Sequence, residues 1–129
     1  MNFPTKKYSI IYADPPWSYE SFSGKTDKDF LNKKRILGMA ESNYETMSLD
    51  QLKQLPVDTI ADDNCILFMW ATFPNLQQGL DLIKAWGFEF KTVGFVWEKF
   101  DKTNNVAKKY GLGWYTRSNC EIVMIGRKG

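Results

Sequence analysis

Cys65-Ile66-Leu67-Phe68-Met69-Trp70 is an unbroken apolar run, and its continuity decides the fold. A strand with one wet face alternates apolar and polar side chains, whereas a strand covered on both faces does not. The run therefore predicts a strand buried on both faces of a sheet. A helix is expected next, because Pro74 suits a first turn and Leu76, Leu80 and Ile83 fall on one face. Gly87 suits the position just past the last turn. Phe90 to Trp97 then reads as another strand. Strand, helix, strand with buried strands is the pattern of a mostly parallel α/β sheet.

Upstream, Tyr8-Ser9-Ile10-Ile11-Tyr12-Ala13 is a β-branched and aromatic run that stops at Asp14-Pro15. A residue before proline is pushed out of the helical region, so a strand ends there. From Ser18 to Asn43 no period persists, and an excursion of that length inside a compact domain is usually functional or disordered. Ser48-Leu49-Asp50-Gln51 matches a capping box, and Pro56 closes the short helix that follows. After a loop from Phe100 to Thr116, Glu121 to Ile125 gives a final strand. There is no internal repeat and no interdomain linker, so residues 1–129 are expected to form one three-layer α/β domain. Ligands of such sheets sit outside the carboxyl ends of the strands, which is where Asp14 is expected.

Hydrophobic content of 43% and charged content of 25% are ordinary for a globular domain. Aromatic content of 16% is high, and aromatic rings serve either a core or base stacking. A net charge of +2 does not by itself announce a nucleic-acid binder. Its distribution is more informative, with Lys25, Lys28, Lys33, Lys34 and Arg35 in one loop and Lys99, Lys102, Lys108 and Lys109 in another. Both clusters suit either solvation or phosphate contact. Cys65 and Cys120 lie in apolar runs with no Cys-x-x-Cys pair and no secretory signal. Buried reduced thiols in a cytoplasmic protein are expected. No apolar run approaches the roughly 20 residues needed to span a bilayer. The absence of histidine removes Ser-His-Asp and Cys-His catalysis and the commonest zinc ligands, so no metal site is expected.

Asp14-Pro15-Pro16-Trp17 carries the chemistry that remains. The N6 lone pair of adenine is delocalised into its ring and is a poor nucleophile. Acceptors placed on both N–H bonds would draw the pair out of conjugation and aim it at an electrophilic methyl. The Asp14 carboxylate offers one acceptor and the Pro15 carbonyl the other, with proline's fixed φ holding the carbonyls in one direction. Trp17 could stack on a base taken out of its helix. An Asp-Pro step alone is ordinary turn chemistry; the full tetrapeptide at the end of a buried strand is a strong signal.

Ile10-Ile11-Tyr12-Ala13-Asp14-Pro15-Pro16-Trp17 closely resembles the signature of MT-A70 methyltransferases, particularly phage and bacterial members. Tyr44-Glu45-Thr46-Met47-Ser48, Asn64 to Trp70, Val93 to Trp97 and Gly111 to Glu121 are similar to further family segments. The resemblance implies a Rossmann-like methyltransferase fold, S-adenosylmethionine as donor, and adenine N6 in DNA, in preference to RNA, as acceptor. Asp14, Pro15, Pro16 and Trp17 would be catalytic, with Asp14 and Pro16 also shaping the donor site. Tyr19, Asn43 and Tyr44 would be substrate-side residues, although Asn43 stands where the family usually has His. Trp70 suits either a base pocket or the core, and Arg117 and Asn119 suit either nucleic-acid contact or surface hydrogen bonding. Glu121 reads as a partner for Arg117 or Lys, and Trp86 as a helix-end packing residue. The family normally continues past Gly129 with a segment that supplies most of the donor pocket. A shortened, non-catalytic relative that binds nucleic acid or protein is therefore the rival reading. A second copy or a partner subunit would cover the open edge of so short a sheet.

Overall fold

The computed structural model describes residues 2–18, 45–100, 102, 103 and 119–129. Strands β1 (Tyr8–Ala13), β2 (Ala61–Thr72), β3 (Glu89–Glu98) and β4 (Cys120–Lys128) form one sheet in the order β1-β2-β4-β3. β1 runs parallel to β2, while β4 lies antiparallel to both β2 and β3. β1, β2 and β3 thus point one way, and β4 returns between two of them. The expected mostly parallel pairing is corrected to a mixed sheet. An antiparallel neighbour, unlike a parallel one, needs no crossover back to the starting end of the sheet.

Among the described residues two α-helices lie between these strands in sequence, α1 (Leu49–Lys53) and α2 (Leu76–Ala85). The capping box forms at α1: Gln51 N donates to Ser48 Oγ at 3.2 Å, and Ser48 N donates to Gln51 Oε1 at 2.9 Å. A 3-10 turn over Phe73–Asn75 leads into α2 with Pro74 in place. At the far end Phe88 N donates to Ile83 O and Gly87 N to Lys84 O, both at 3.0 Å. Gly87 has φ +85°, the left-handed conformation that this C-terminal cap requires.

The stripe that α2 buries differs from the expected one. Gly79, Leu82, Ile83 and Trp86 are buried, whereas Leu76 is largely exposed. These four positions have i, i+3, i+4, i+7 spacing, beginning at a glycine that a count of apolar residues passes over. A Cβ at Gly79 would collide with the Met124 methyl and touch Ala71 Cβ at 3.4 Å. Helix and sheet are in close contact here.

The core lies between the helices and one face of the sheet, where Leu52, Leu67, Met69, Ala71, Leu82, Ile83, Ile122 and Met124 are buried. Trp86 Nε1 donates to Leu52 O at 2.9 Å and ties α2 to α1. On the other face Ile66, Phe68 and Trp70 are only half-buried, and Tyr12 (68% exposed), Phe95 (61%) and Trp97 (52%) stand open. Among the described residues β2 is fully covered on one face only, and both helices lie on that side. The domain is a partial Rossmann-like α/β arrangement. Neither cysteine forms a disulfide; Cys65 is buried as expected, but Cys120 opens β4 and is only half-buried. No helix among the described residues is long and apolar enough to cross a membrane.

Candidate active site

The register brings the carboxyl ends of β1, β2 and β3 to one edge. Ala13 pairs with Met69, Thr72 with Glu121, and Glu121 with Trp97. Paired residues share a face of the sheet. Tyr12, Trp70, Trp97, Val123 and Glu121 therefore share the open side, beside the point where β1 runs out into Asp14.

The turn after β1 is fixed by its own backbone. Trp17 N donates to Pro15 O at 2.8 Å, closing a three-residue turn around Pro16. Met47 N donates to Pro16 O at 2.9 Å, and Trp17 bridges Met47 in parallel. Pro15 is buried, Pro16 half-buried and Asp14 exposed. Pro15 O has thus used one of its two lone pairs and retains one. Trp17 is 5% exposed, and its Nε1 donates to Trp70 O at 3.1 Å. Its ring belongs to the core cluster, which corrects the expectation that it offers a stacking face. The indole N–H finds its buried partner on β2, and the ring follows it inward.

Trp70 lies on the open side, where its Nε1 donates to the Tyr12 hydroxyl. Its ring meets Trp97 edge-on at 5.8 Å and 71°. Tyr12, Trp70, Phe95, Val96, Trp97 and Val123 line an open hollow of about 500 Å³. Lys99 Nζ sits 2.7 Å from Glu121 Oε1 and 4.9 Å from the Trp97 ring centre, so Glu121 does partner a lysine. Asn119 knits the ends of β3 and β4: its carbonyl accepts from Lys99 N at 3.1 Å and its Nδ2 donates to Glu98 at 3.5 Å. Tyr19, Asn43, Tyr44 and Arg117 lie outside the described residues, as do Lys25, Lys28, Lys33, Lys34, Arg35, Lys108 and Lys109.

Partial burial of the Asp14 carboxyl, and then the nearby Glu121 carboxylate, push its pKa above the usual carboxylate range. Reading the sequence alone missed Tyr12, Phe95 and Trp97 as neighbours of this edge. Their alternation in β1 and β3 was visible, but only the strand register joins them. Of the two carboxylates at this edge Glu121 is engaged by Lys99, which leaves Asp14 as the one that could face the sulfonium of an S-adenosylmethionine donor. The described residues include no glycine-rich loop for the remainder of that molecule.

Residues 8–129 match the MT-A70 family. The chain is 39% identical to Type II methyltransferase M.MunI of Mycoplasma sp over 132 residues, covering 98% of this chain and 53% of that protein. It is 26% identical to the N(6)-adenosine-methyltransferase MT-A70-like protein of Drosophila melanogaster, over 95% of this chain and 17% of that one. With the human N(6)-adenosine-methyltransferase catalytic subunit METTL3 it shares 23% identity, over 95% and 18% of the respective chains. The chain thus spans about half the length of M.MunI and about a fifth of the two longer relatives. From the match over nearly its whole length, this chain belongs to the MT-A70 methyltransferase family.

Proposed function

We propose that this chain carries the adenine-handling part of an S-adenosylmethionine-dependent N6-adenine methyltransferase, acting on DNA rather than RNA. The observation that carries the reading is Asp14, an exposed carboxylate held at the strand edge by a turn pinned to both Met47 and Trp70. Asp14 accepts one N6–H, and the remaining lone pair of Pro15 O accepts the other. Pro16 shapes the donor side, and Trp17 anchors the turn from beneath. When bound, S-adenosylmethionine supplies an electrophilic methyl. N6 must then lose a proton, and a carboxylate with a raised pKa is a better acceptor than an ordinary aspartate. Trp70, Asn119, Tyr19, Asn43, Tyr44 and Arg117 would border the substrate, a role carried by the family resemblance of their segments. The preference for DNA rests on higher identity to the Type II methyltransferase than to the N(6)-adenosine enzymes.

Exposed Tyr12, Phe95, Val96 and Trp97 favour a cover over the open face, supplied by a second copy or a partner subunit. Activity is placed in the cytoplasm of a bacterial or phage-infected cell, where nucleic acid and free thiols coexist. The test is calorimetric titration with S-adenosylmethionine, with and without an adenine-containing oligonucleotide. Micromolar binding that strengthens with oligonucleotide is expected. A folded chain that binds the oligonucleotide and no donor would instead establish the second reading, a non-catalytic relative acting as inhibitor or accessory subunit.

A further inference from the structure

β3 ends the sheet. Among the described residues its outer edge pairs with no strand, and all 10 of its residues are exposed, on both faces. Val96 is 63% exposed and Phe95 61%. An edge of this length, without proline and with large apolar side chains, is a template for another strand. Native edges are guarded by irregularity and charge, and β3 has both. Its register shifts between Phe90 and Thr92 and again between Val93 and Phe95; Lys91 lies in the first shift, in a surface ion pair with Glu89. The faces are set by β4. Thr92, Phe95 and Trp97 pair with Ile125, Val123 and Glu121 and face the open side, whereas Val93 and Val96 pair with Met124 and Ile122 and face the helices. A Cβ at Gly94 would meet Ile125 Cδ1 at 2.8 Å, so position 94 also faces the open side.

We propose that β3 pairs antiparallel with β3 of a second copy of this chain, across a two-fold axis that sets Gly94 opposite Phe95. The strand is then its own complement. Val93 opposes Val96 on the helix side, and Thr92 opposes Trp97 on the open side. Phe95 lies across from a glycine on the same face, a pairing that stabilises glycine in edge strands. Lys91 opposes Glu98, so unlike charges meet at both ends of the paired stretch. Slipped registers lose this match. A slip of two residues toward the start of the strand opposes Glu89 with Glu98, and one of two residues the other way opposes Phe95 with Val96, which face different sides. Self-complementary charge and facing select a second copy over an unrelated strand. The contact joins edges and is separate from the cover proposed for the open face. Its axis is perpendicular to the sheet, so the two open faces become continuous and the two Asp14 edges point in opposite directions.

The experiment combines cross-linking and sedimentation of the full chain. Under mild oxidation, Val93→Cys mixed with Val96→Cys should form a disulfide-linked dimer well above the wild-type background, and neither variant alone should, because directly opposed residues of an antiparallel pair lie within disulfide reach. In sedimentation at low salt, Lys91→Glu and Glu98→Lys should each raise the dimer Kd about tenfold, as two exposed charge pairs turn repulsive. The chain carrying both reversals should return to the wild-type Kd, which a variant that merely misfolds would not do. A monomer at all concentrations, a dimer that neither reversal weakens, or cross-linking of Val96→Cys with itself overturns the proposal. A dimer indifferent to both reversals would place the contact on the open face instead. None of these readouts needs donor or substrate, so the outcome stands apart from whether methyl transfer occurs.

Discussion

At Asp14, partial desolvation and the neighbouring Glu121 both disfavour the charged form, so folding holds its proton more tightly than the unfolded chain does. As pH rises past the ordinary aspartate value of 3.8, the unfolded chain releases this proton first and stability falls. The loss is complete once pH exceeds the raised folded value. Asp14→Asn should therefore stabilise the protein at neutral pH and give no gain below pH 3.8, read by urea denaturation across pH, while abolishing methyl transfer. A destabilising group at a strand edge is the mark of a residue kept for chemistry. Trp17 behaves oppositely. Trp17→Phe removes the hydrogen bond to Trp70 O and should cost about 1 kcal/mol in the same assay. The place of Asp14 at the end of β1 was legible because proline dictates where the strand stops. The inward turn of Trp17 was not, because its partner is a carbonyl 53 residues away in sequence.

The helices and strands were legible to the extent that local chemistry sets them. The capping box at Ser48, Pro74 in the turn before α2 and Gly87 past its end all take the expected roles. Which face α2 presents was not, because a close contact with the sheet is made at Gly79, which has no side chain to count. Gly79→Val forces an overpacked contact with Met124 and should destabilise by about 1–3 kcal/mol, measured as a fall in the denaturation midpoint. Ser48→Ala removes the cap of a short, exposed helix and should cost about 1 kcal/mol. Direction within the sheet was also beyond reach. Apolar runs report that a strand is covered, not which way its neighbour points, and β4 enters reversed between β2 and β3.

Across the whole molecule, the unbroken run of β2 foretold two covered faces, and only one is covered among the described residues. Ile66, Phe68 and Trp70 are therefore apolar residues without a complete core, continuous with exposed Tyr12, Phe95 and Trp97. Such a surface drives association. Sedimentation velocity should show concentration-dependent self-association, weakened by Phe95→Lys without loss of helical circular dichroism. A monomer at all concentrations would assign the cover to a different partner.

The central claim is that Asp14 directs methyl transfer to adenine N6. Its most direct test is a single-turnover incubation of the chain, in excess, with labelled S-adenosylmethionine and an adenine-containing DNA duplex, followed by nucleoside chromatography. Label should appear in N6-methyladenine with the wild-type chain and be lost at least a hundredfold with a folded Asp14→Ala variant, the scale set by losing a group that acts in the transition state. Equal N6-methyladenine from both proteins, or none from the folded wild type, would contradict it.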